Sequence, residues 1–308
     1  MGNQGGDSTV SATETERPQA PYALGHSPDE YERLRVQARG WEVATARLLD
    51  EVGLRPGASC LDAGCGPGET MRAMAERVGQ TGRVLGIDAD AALGTMTQAM
   101  LHDAGHRQCS VMAHNLSGAE PIPGAPFDLV YARLLLFHLT ERAEVLARLW
   151  DAVAPGGHLL VQEYDLYAVK TTPRADWADE VLDYFVSAFG VAGADAATGA
   201  KLPQLFVQSG VGAPDGTDVA GRIEPLSLGR RMLESAFRSL LPTALEYGVT
   251  TEDGAAALLA SIDRDATLFP DRPFPLAAAD RRVEAQGAGM TTLTLLARPV
   301  QAGGRRCP

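Results

Sequence analysis

The stretch Leu61-Asp62-Ala63-Gly64-Cys65-Gly66-Pro67-Gly68 decides how this chain is read. An apolar strand, Ala58-Ser59-Cys60-Leu61, runs into a glycine turn and then into a helix, Glu69-Thr70-Met71-Arg72-Ala73-Met74-Ala75. Such a turn brings backbone amides against a ligand, because glycine adopts conformations closed to other residues and a helix N-terminus presents unpaired N–H groups. A second apolar run, Arg83-Val84-Leu85-Gly86-Ile87, ends on Asp88, where nucleotide-binding sheets read a pair of ribose hydroxyls. In isolation, a glycine turn that merely joins a strand to a helix looks the same.

Local charge separates two ligand classes that use this geometry. In the dinucleotide fingerprint a third glycine lets the helix approach a pyrophosphate, but here that position is Glu69 and the strand already ends in Asp62. Two carboxylates repel a pyrophosphate. S-adenosylmethionine carries an ammonium and a sulfonium and no phosphate, so Asp62 can pair its amino group while the turn accommodates its methionine portion.

Further along, Phe127-Asp128-Leu129-Val130-Tyr131-Ala132-Arg133 reads as a strand, followed by Leu134-Leu135-Leu136-Phe137-His138-Leu139 and a helix ending near Val153. Pro155-Gly156-Gly157-His158-Leu159-Leu160-Val161-Gln162-Glu163 comes next. In order and spacing these runs resemble the signature segments of class I S-adenosylmethionine-dependent methyltransferases of the small-molecule, natural-product type. The resemblance covers roughly Gly40 to Asp165, about half the chain. It implies an α/β fold, a Rossmann-like doubly wound seven-stranded sheet with an N-terminal helical lid and helical cap insertions. The cofactor would lie over the carboxyl ends of the strands and leave as S-adenosyl-L-homocysteine.

Residue by residue, the resemblance implies that Asp62, Gly64 and Gly66 hold the methionine portion, that Ala63 and Cys65 beside them belong to the cofactor site, and that Asp88 grips the ribose. Ala89 and Asp90 flank the adenine edge, and Leu116 lies against its face. Asn115 departs from the acid that many family members have there; its amide oxygen can still accept a hydrogen bond, without the charge. Ala132 and Arg133 approach the methionine from the other side. His138 is the first choice for a catalytic base or positioning group, with packing under the lid as the alternative, and Glu163 and Asp165 follow it. Tyr164, Trp177, Phe185 and Phe237 are the substrate-side residues.

Composition sets outer bounds. The 308 residues carry 27 Lys plus Arg against 39 Asp plus Glu, without a basic cluster to track phosphates, so nucleic acid is not expected as a partner. No apolar run approaches a membrane span and no secretion signal is legible, so a cytoplasmic location without membrane attachment is expected. The four cysteines at 60, 65, 109 and 307 form no metal pattern. His102 and His106, four apart on an expected helix, lack a third ligand nearby, and no metal is expected.

Five segments follow: a disordered tail at 1–20, a helical lid at 21–56, the cofactor-binding core at 57–165, the rest of the sheet with helical acceptor-binding inserts at 166–300, and a tail at 301–308. Ser27 with Pro28 signals a helix to about Ala38. As a lid it would turn Tyr22, Arg33 and Gln37 inward; as a surface helix it would not. A second helix, Trp41 to Val52, offers Val43, Ala46, Leu48 and Leu49 to the sheet. Helices at Asp176–Phe189, Leu202–Gln208, Arg230–Tyr247 and Asp253–Thr267 precede a closing strand, Met290–Ala297. Their apolar stripes fit an acceptor pocket, a structural role or a homodimer contact. The expected reaction is methyl transfer to a small apolar or aromatic specialised metabolite, on oxygen first, then nitrogen or carbon. A non-catalytic cofactor-binding subunit stays open as an alternative, and an NAD(P)-dependent oxidoreductase is the third reading.

Overall fold

A computed structural model of the chain describes residues 28–168, 171, 173–277 and 291–297. Two helices come first, α1 (Pro28–Gly40) and α2 (Glu42–Glu51). An alternating segment follows: β1 (Ser59–Ala63), α3 (Glu69–Val78), β2 (Arg83–Asp88), α4 (Ala91–Asp103), β3 (Cys109–Ala113), β4 (Phe127–Arg133), α5 (Arg142–Asp151) and β5 (Val153–Asp165). A 3-10 turn, Leu136–His138, links β4 to α5. Beyond β5 come α6 (Asp176–Val191), α7 (Thr198–Gln208), β6 (Gly216–Ala220), β7 (Arg222–Pro225), α8 (Leu226–Glu246), α9 (Glu252–Leu268), β8 (Pro273–Ala277) and β9 (Thr291–Ala297).

Parallel pairing joins the strands β3-β2-β1-β4-β5, and β9 and β6 extend the sheet antiparallel beyond β5. Chain order runs outward from β1 through β2 to β3 and resumes on the other side at β4, so the β1/β4 boundary is the switch point of a doubly wound sheet. Ligands bind outside the carboxyl ends of the strands at such a point. Both sheet faces are covered, which explains the near-continuous apolar strands. Leu61, Ile87, Val130 and Val161 point to a core shared with Leu146 and Leu149 of α5 and Phe206 of α7. Their strand neighbours Cys60, Val84, Leu129 and Leu160 point to the opposite core, with Leu48 and Leu49 of α2 and Met71 and Met74 of α3. Helices α6, α8 and α9 build cores of their own, one around Tyr184, Phe237 and Leu240 and one around Trp177, Leu226 and Ile262.

Several expectations are corrected. Val43 is 85% exposed and Thr45, at 3%, takes the inward position on α2. His102 and His106 do not share a helix, because α4 stops at Asp103; His102 Nε2 instead meets the Cys109 carbonyl at 2.9 Å. The β7–β8 pair was not legible, since it joins segments distant in sequence and carries prolines that suit a strand only at an edge. The expected tails, Tyr22 and the Ser27 cap lie outside the described residues. Among the described residues no helix is long and apolar enough to cross a membrane, and no group of side chains could hold a metal ion.

Gly68 shows how tightly the turn is built. It precedes α3 at φ 77°, and a Cβ there would stand 2.6 Å from Thr97 Cγ2. Thr97 is fully buried and its hydroxyl donates to the Gly66 carbonyl at 2.8 Å, so it cannot easily withdraw. Gly68→Ala is therefore expected to lower stability by about 2–4 kcal/mol, from left-handed strain plus overpacking. Urea denaturation checks this, and an unchanged midpoint would contradict it.

Candidate functional site

The glycine turn is held in shape by the next strand. Asp88 Oδ2 accepts the Gly66 N–H at 2.9 Å and its Oδ1 accepts the Asp90 N–H at 2.9 Å. Asp90 then caps α4 by accepting from Ala92 and Leu93, each at 3.0 Å. Gly66 itself has φ 48°, and the direction its Cβ would take is open, with no atom within 4 Å. The turn thus offers backbone and empty space, as a close-lying ligand requires.

Asp62, the penultimate residue of β1, is 2% exposed, and its Oδ2 has no hydrogen-bond partner among the described residues. Burial pushes its carboxyl up to about 7; Arg133 opposes that rise and Asp88 adds to it. A buried carboxyl oxygen without a donor costs free energy that a bound cation or N–H group would recover. This oxygen is the polar feature of the site most in need of a ligand.

Around these groups lies a cavity of about 910 Å³, toward the upper end of the range for small-molecule sites. Its floor includes Gly64, Cys65, Ala89, Asn115, Leu116 and Arg133. Asn115 stands beyond the end of β3 and its Oδ1 accepts the Ser117 N–H at 2.9 Å. Across from them, Trp177 and Phe185 of α6 and Met232 and Leu233 of α8 form an apolar wall. Helix α1 covers one side with Tyr31, Arg33, Leu34 and Gln37.

The arrangement revises other expected roles. Ala63 and Ala132 are fully buried sheet core and do not line the cavity. Phe237 stacks on Tyr184 at 3.9 Å between ring centroids, inside the helical core. Glu163 is fully buried off the cavity wall, where its Oε1 accepts the N–H groups of Leu135 at 2.9 Å and Leu136 at 2.6 Å. It clamps the loop between β4 and the 3-10 turn, in which Leu134 has φ 54°. Asp165 likewise serves its own loop, accepting the Tyr167 N–H at 3.1 Å. His138 does line the cavity, packed edge-on to Phe137 at 4.8 Å, but burial, with Arg33 and Arg142 adding to it, pulls its pKa down to about 3.

Helix α1 is tied down at four points. Arg35 and Arg39 meet Glu69 at 3.7 and 3.5 Å, so the charge that argued against a pyrophosphate is largely neutralised, and that argument now rests on Asp62 and Asp88. The Tyr31 hydroxyl donates to Asp90 at 2.7 Å. Arg33 is paired with Glu30 through two bonds of 2.7 and 2.6 Å and donates to Gln37 at 2.8 Å, and Ser239 of α8 donates to Glu30. Gln37 and Trp41 both donate to the Tyr164 hydroxyl, at 2.7 and 2.9 Å. Sequence reasoning missed Tyr31 and Trp41. The spacing of Tyr31, Leu34 and Ala38, one face of a helix, was the signal available.

Residues 60–157 match the family described as Methyltransferase domain. The chain carries a class I S-adenosylmethionine-dependent methyltransferase domain. It is 36% identical over 137 residues to a trans-aconitate 2-methyltransferase of Deinococcus radiodurans, a match covering 44% of this chain and 48% of that one. It is 33% identical over 138 residues to the ubiquinone/menaquinone biosynthesis C-methyltransferase UbiE of Laribacter hongkongensis, covering 41% and 55%. The chain thus spans about half the length of these curated relatives. The solved YcgJ protein of Bacillus subtilis shares the fold at TM-score 0.52 and 12% identity, over 83% of this chain and 98% of that one.

Glu163, near the end of β5 and beyond the matched residues, gives a pH signature. Burial raises its carboxyl to about 8, against the opposing hydrogen bonds from the loop. Its stabilising contribution is therefore full below the unfolded value near 4.5 and is lost as pH rises through about 8. Between pH 5 and 8, wild type is expected to lose up to about 4 kcal/mol relative to Glu163→Gln. Paired urea titrations measure this, and a pH-independent difference would contradict it.

Proposed function

We propose that this protein transfers a methyl group from S-adenosylmethionine to a small acceptor with an apolar or aromatic frame. The observation that carries the reading is the orphaned Oδ2 of Asp62 on the wall of a large cavity, beside an open glycine turn. The residues fit the cofactor: Asp62 for its ammonium, Arg133 for its carboxylate, Asp88 for its ribose hydroxyls, and Ala89, Asn115 and Leu116 around its adenine. When bound, S-adenosylmethionine supplies an electrophilic methyl group on a sulfonium.

The rest of the work falls to the chain. Helix α1 excludes water from above the turn, which strengthens electrostatic interactions in the site. The wall formed by α6 and α8 orients the acceptor, and positioning of this kind can supply much of the rate. His138, neutral at pH 7 and a weak proton acceptor in its buried setting, positions rather than deprotonates. His138→Gln is accordingly expected to cost less than about 100-fold in turnover, the loss at which general-base catalysis would be indicated. Steady-state kinetics with a turned-over acceptor decide between the two roles.

Oxygen is the first acceptor atom in this reading, with nitrogen and carbon behind it, and a specialised metabolite is the acceptor class. The two curated relatives carry names with unlike acceptors, so the matched half does not fix this choice. The segment from 166 to 300 is read as the acceptor-binding cap and the segment from 21 to 56 as the lid.

Asp62→Asn tests the cofactor assignment with two opposite signs. Removing a charge that is costly to bury should leave the ligand-free protein at least as stable. Losing a charge-assisted bond of about 1.5–3 kcal/mol should weaken S-adenosylmethionine binding roughly 10- to 150-fold. The readout is the rise in melting temperature on adding S-adenosylmethionine, which depends on ligand concentration relative to Kd. An equal rise in wild type and variant would refute the assignment.

A further inference from the structure

Among the described residues the Tyr164 hydroxyl finds no acceptor for its proton. Its oxygen accepts from Gln37 Nε2 at 2.7 Å and from Trp41 Nε1 at 2.9 Å. Neither partner can reverse its role. The indole nitrogen is only a donor. The Gln37 amide is oriented by Arg33, whose Nη1 donates to Gln37 Oε1 at 2.8 Å. Both acceptor positions of the phenol are thus used, and among the described residues no atom accepts its own O–H. Burial raises the Tyr164 pKa, so the hydroxyl stays a donor at neutral pH.

The ring lies on the cavity wall in the apolar half, packed with Phe137, Leu166, Phe185 and Phe189. Charge around the cavity is polarised in the same sense. Asp62, Asp88 and Asp90 line the turn at one end. Arg133 acts on Asp62 at that same end, where it is the proposed partner of the cofactor carboxylate, so it adds nothing to the opposite end. Arg231 of α8 stands exposed at the mouth, with no carboxylate within ion-pair distance among the described residues. The acid on that side, Glu224, is already engaged within the chain. A cation fits the acidic end, and the other end offers an unsatisfied O–H and free guanidinium charge.

We infer that the acceptor is an apolar oxyacid: a molecule that presents a carboxylate, phenolate or enolate oxygen to the Tyr164 hydroxyl on an aromatic or polycyclic frame, with protonated amines disfavoured. The inference rests on the methyltransferase reading and names its substrate class. An acceptor of this kind also removes the need for a base. Its oxygen forms the new O–C bond with its own electron pair, the sulfur keeps the pair of the S–C bond that breaks, and no proton has to leave. Tyr164 sets specificity by placing that oxygen.

The test uses the whole protein loaded with S-adenosyl-L-homocysteine and a probe series of one frame and different charge: 2-naphthoate, 2-naphthylmethanol and 2-naphthylmethylammonium. Binding is followed by calorimetry. Naphthoate should bind at least about 10-fold more tightly than the ammonium, the size of one charge-assisted hydrogen bond, with the alcohol between them. Tyr164→Phe should collapse that ratio to within about 3-fold, an effect that mere loosening of α1 would not produce because it weakens all probes together. If that variant does not fold, Arg231→Gln, at an exposed position, should reduce the wild-type ratio by about 3-fold or more. Equal or tighter binding of the ammonium, no binding of naphthoate, or a preference that survives the substitution would overturn the inference. Failure of S-adenosyl-L-homocysteine to bind would instead refute the cofactor assignment, and the same series on the unloaded protein would still decide the acceptor preference.

Discussion

The carboxyl of Asp62 is removed from water at the switch point of the sheet, and among the described residues one of its oxygens has no donor. Such a group is unfavourable in an empty protein. It persists because the surroundings leave it no alternative: β1 is sandwiched between β2 and β4, the turn after it is held by Asp88, and Arg133 and Met71 offset only part of the burial. A cavity with a partly uncompensated acid at its base is suited to a cationic ligand. The glycine turn and the Asp88 bonds both keep that acid accessible.

The elements around this base wall the cavity on several sides. Helix α1 joins the turn through Glu69, the start of α4 through Asp90, the end of β5 through Tyr164, and α8 through Ser239 and Glu30. Each bond alone is worth about 1 kcal/mol. Together they couple both ends of the cavity to one helix, so anything that moves α1 changes both ends at once. The cavity is polarised, acidic at the turn and basic or hydrogen-bond-donating opposite, a natural match for a cationic methyl donor and an electron-rich acceptor.

The parallel half of the sheet was legible because its signals are local. The strand–glycine–helix run at 58–75, Asp88 at the end of β2, and Phe127–Arg133 are continuous stretches whose patterns survive in the structure nearly residue for residue. Positions decided by long-range packing were not. Glu163 reads in sequence as a residue that orients the acceptor, yet the loop at Leu135 and Leu136 draws it beneath the site. Phe237 reads as pocket wall and is taken into the helical core by Tyr184. Trp41 looks like a helix start, and its indole is instead a donor to a phenol more than a hundred residues away. His138 lines the cavity, but only its buried surroundings reveal how weak a base it is.

The central claim is that this cavity is shaped and charged for a sulfonium cofactor and not for a dinucleotide. Calorimetric titration of the unmodified protein with S-adenosylmethionine, S-adenosyl-L-homocysteine and NADH tests it most directly. The account predicts that the first two bind in the micromolar range, about 8 kcal/mol, and that NADH gives no heat of binding. Saturable binding of NADH, with neither sulfur ligand bound, would contradict it.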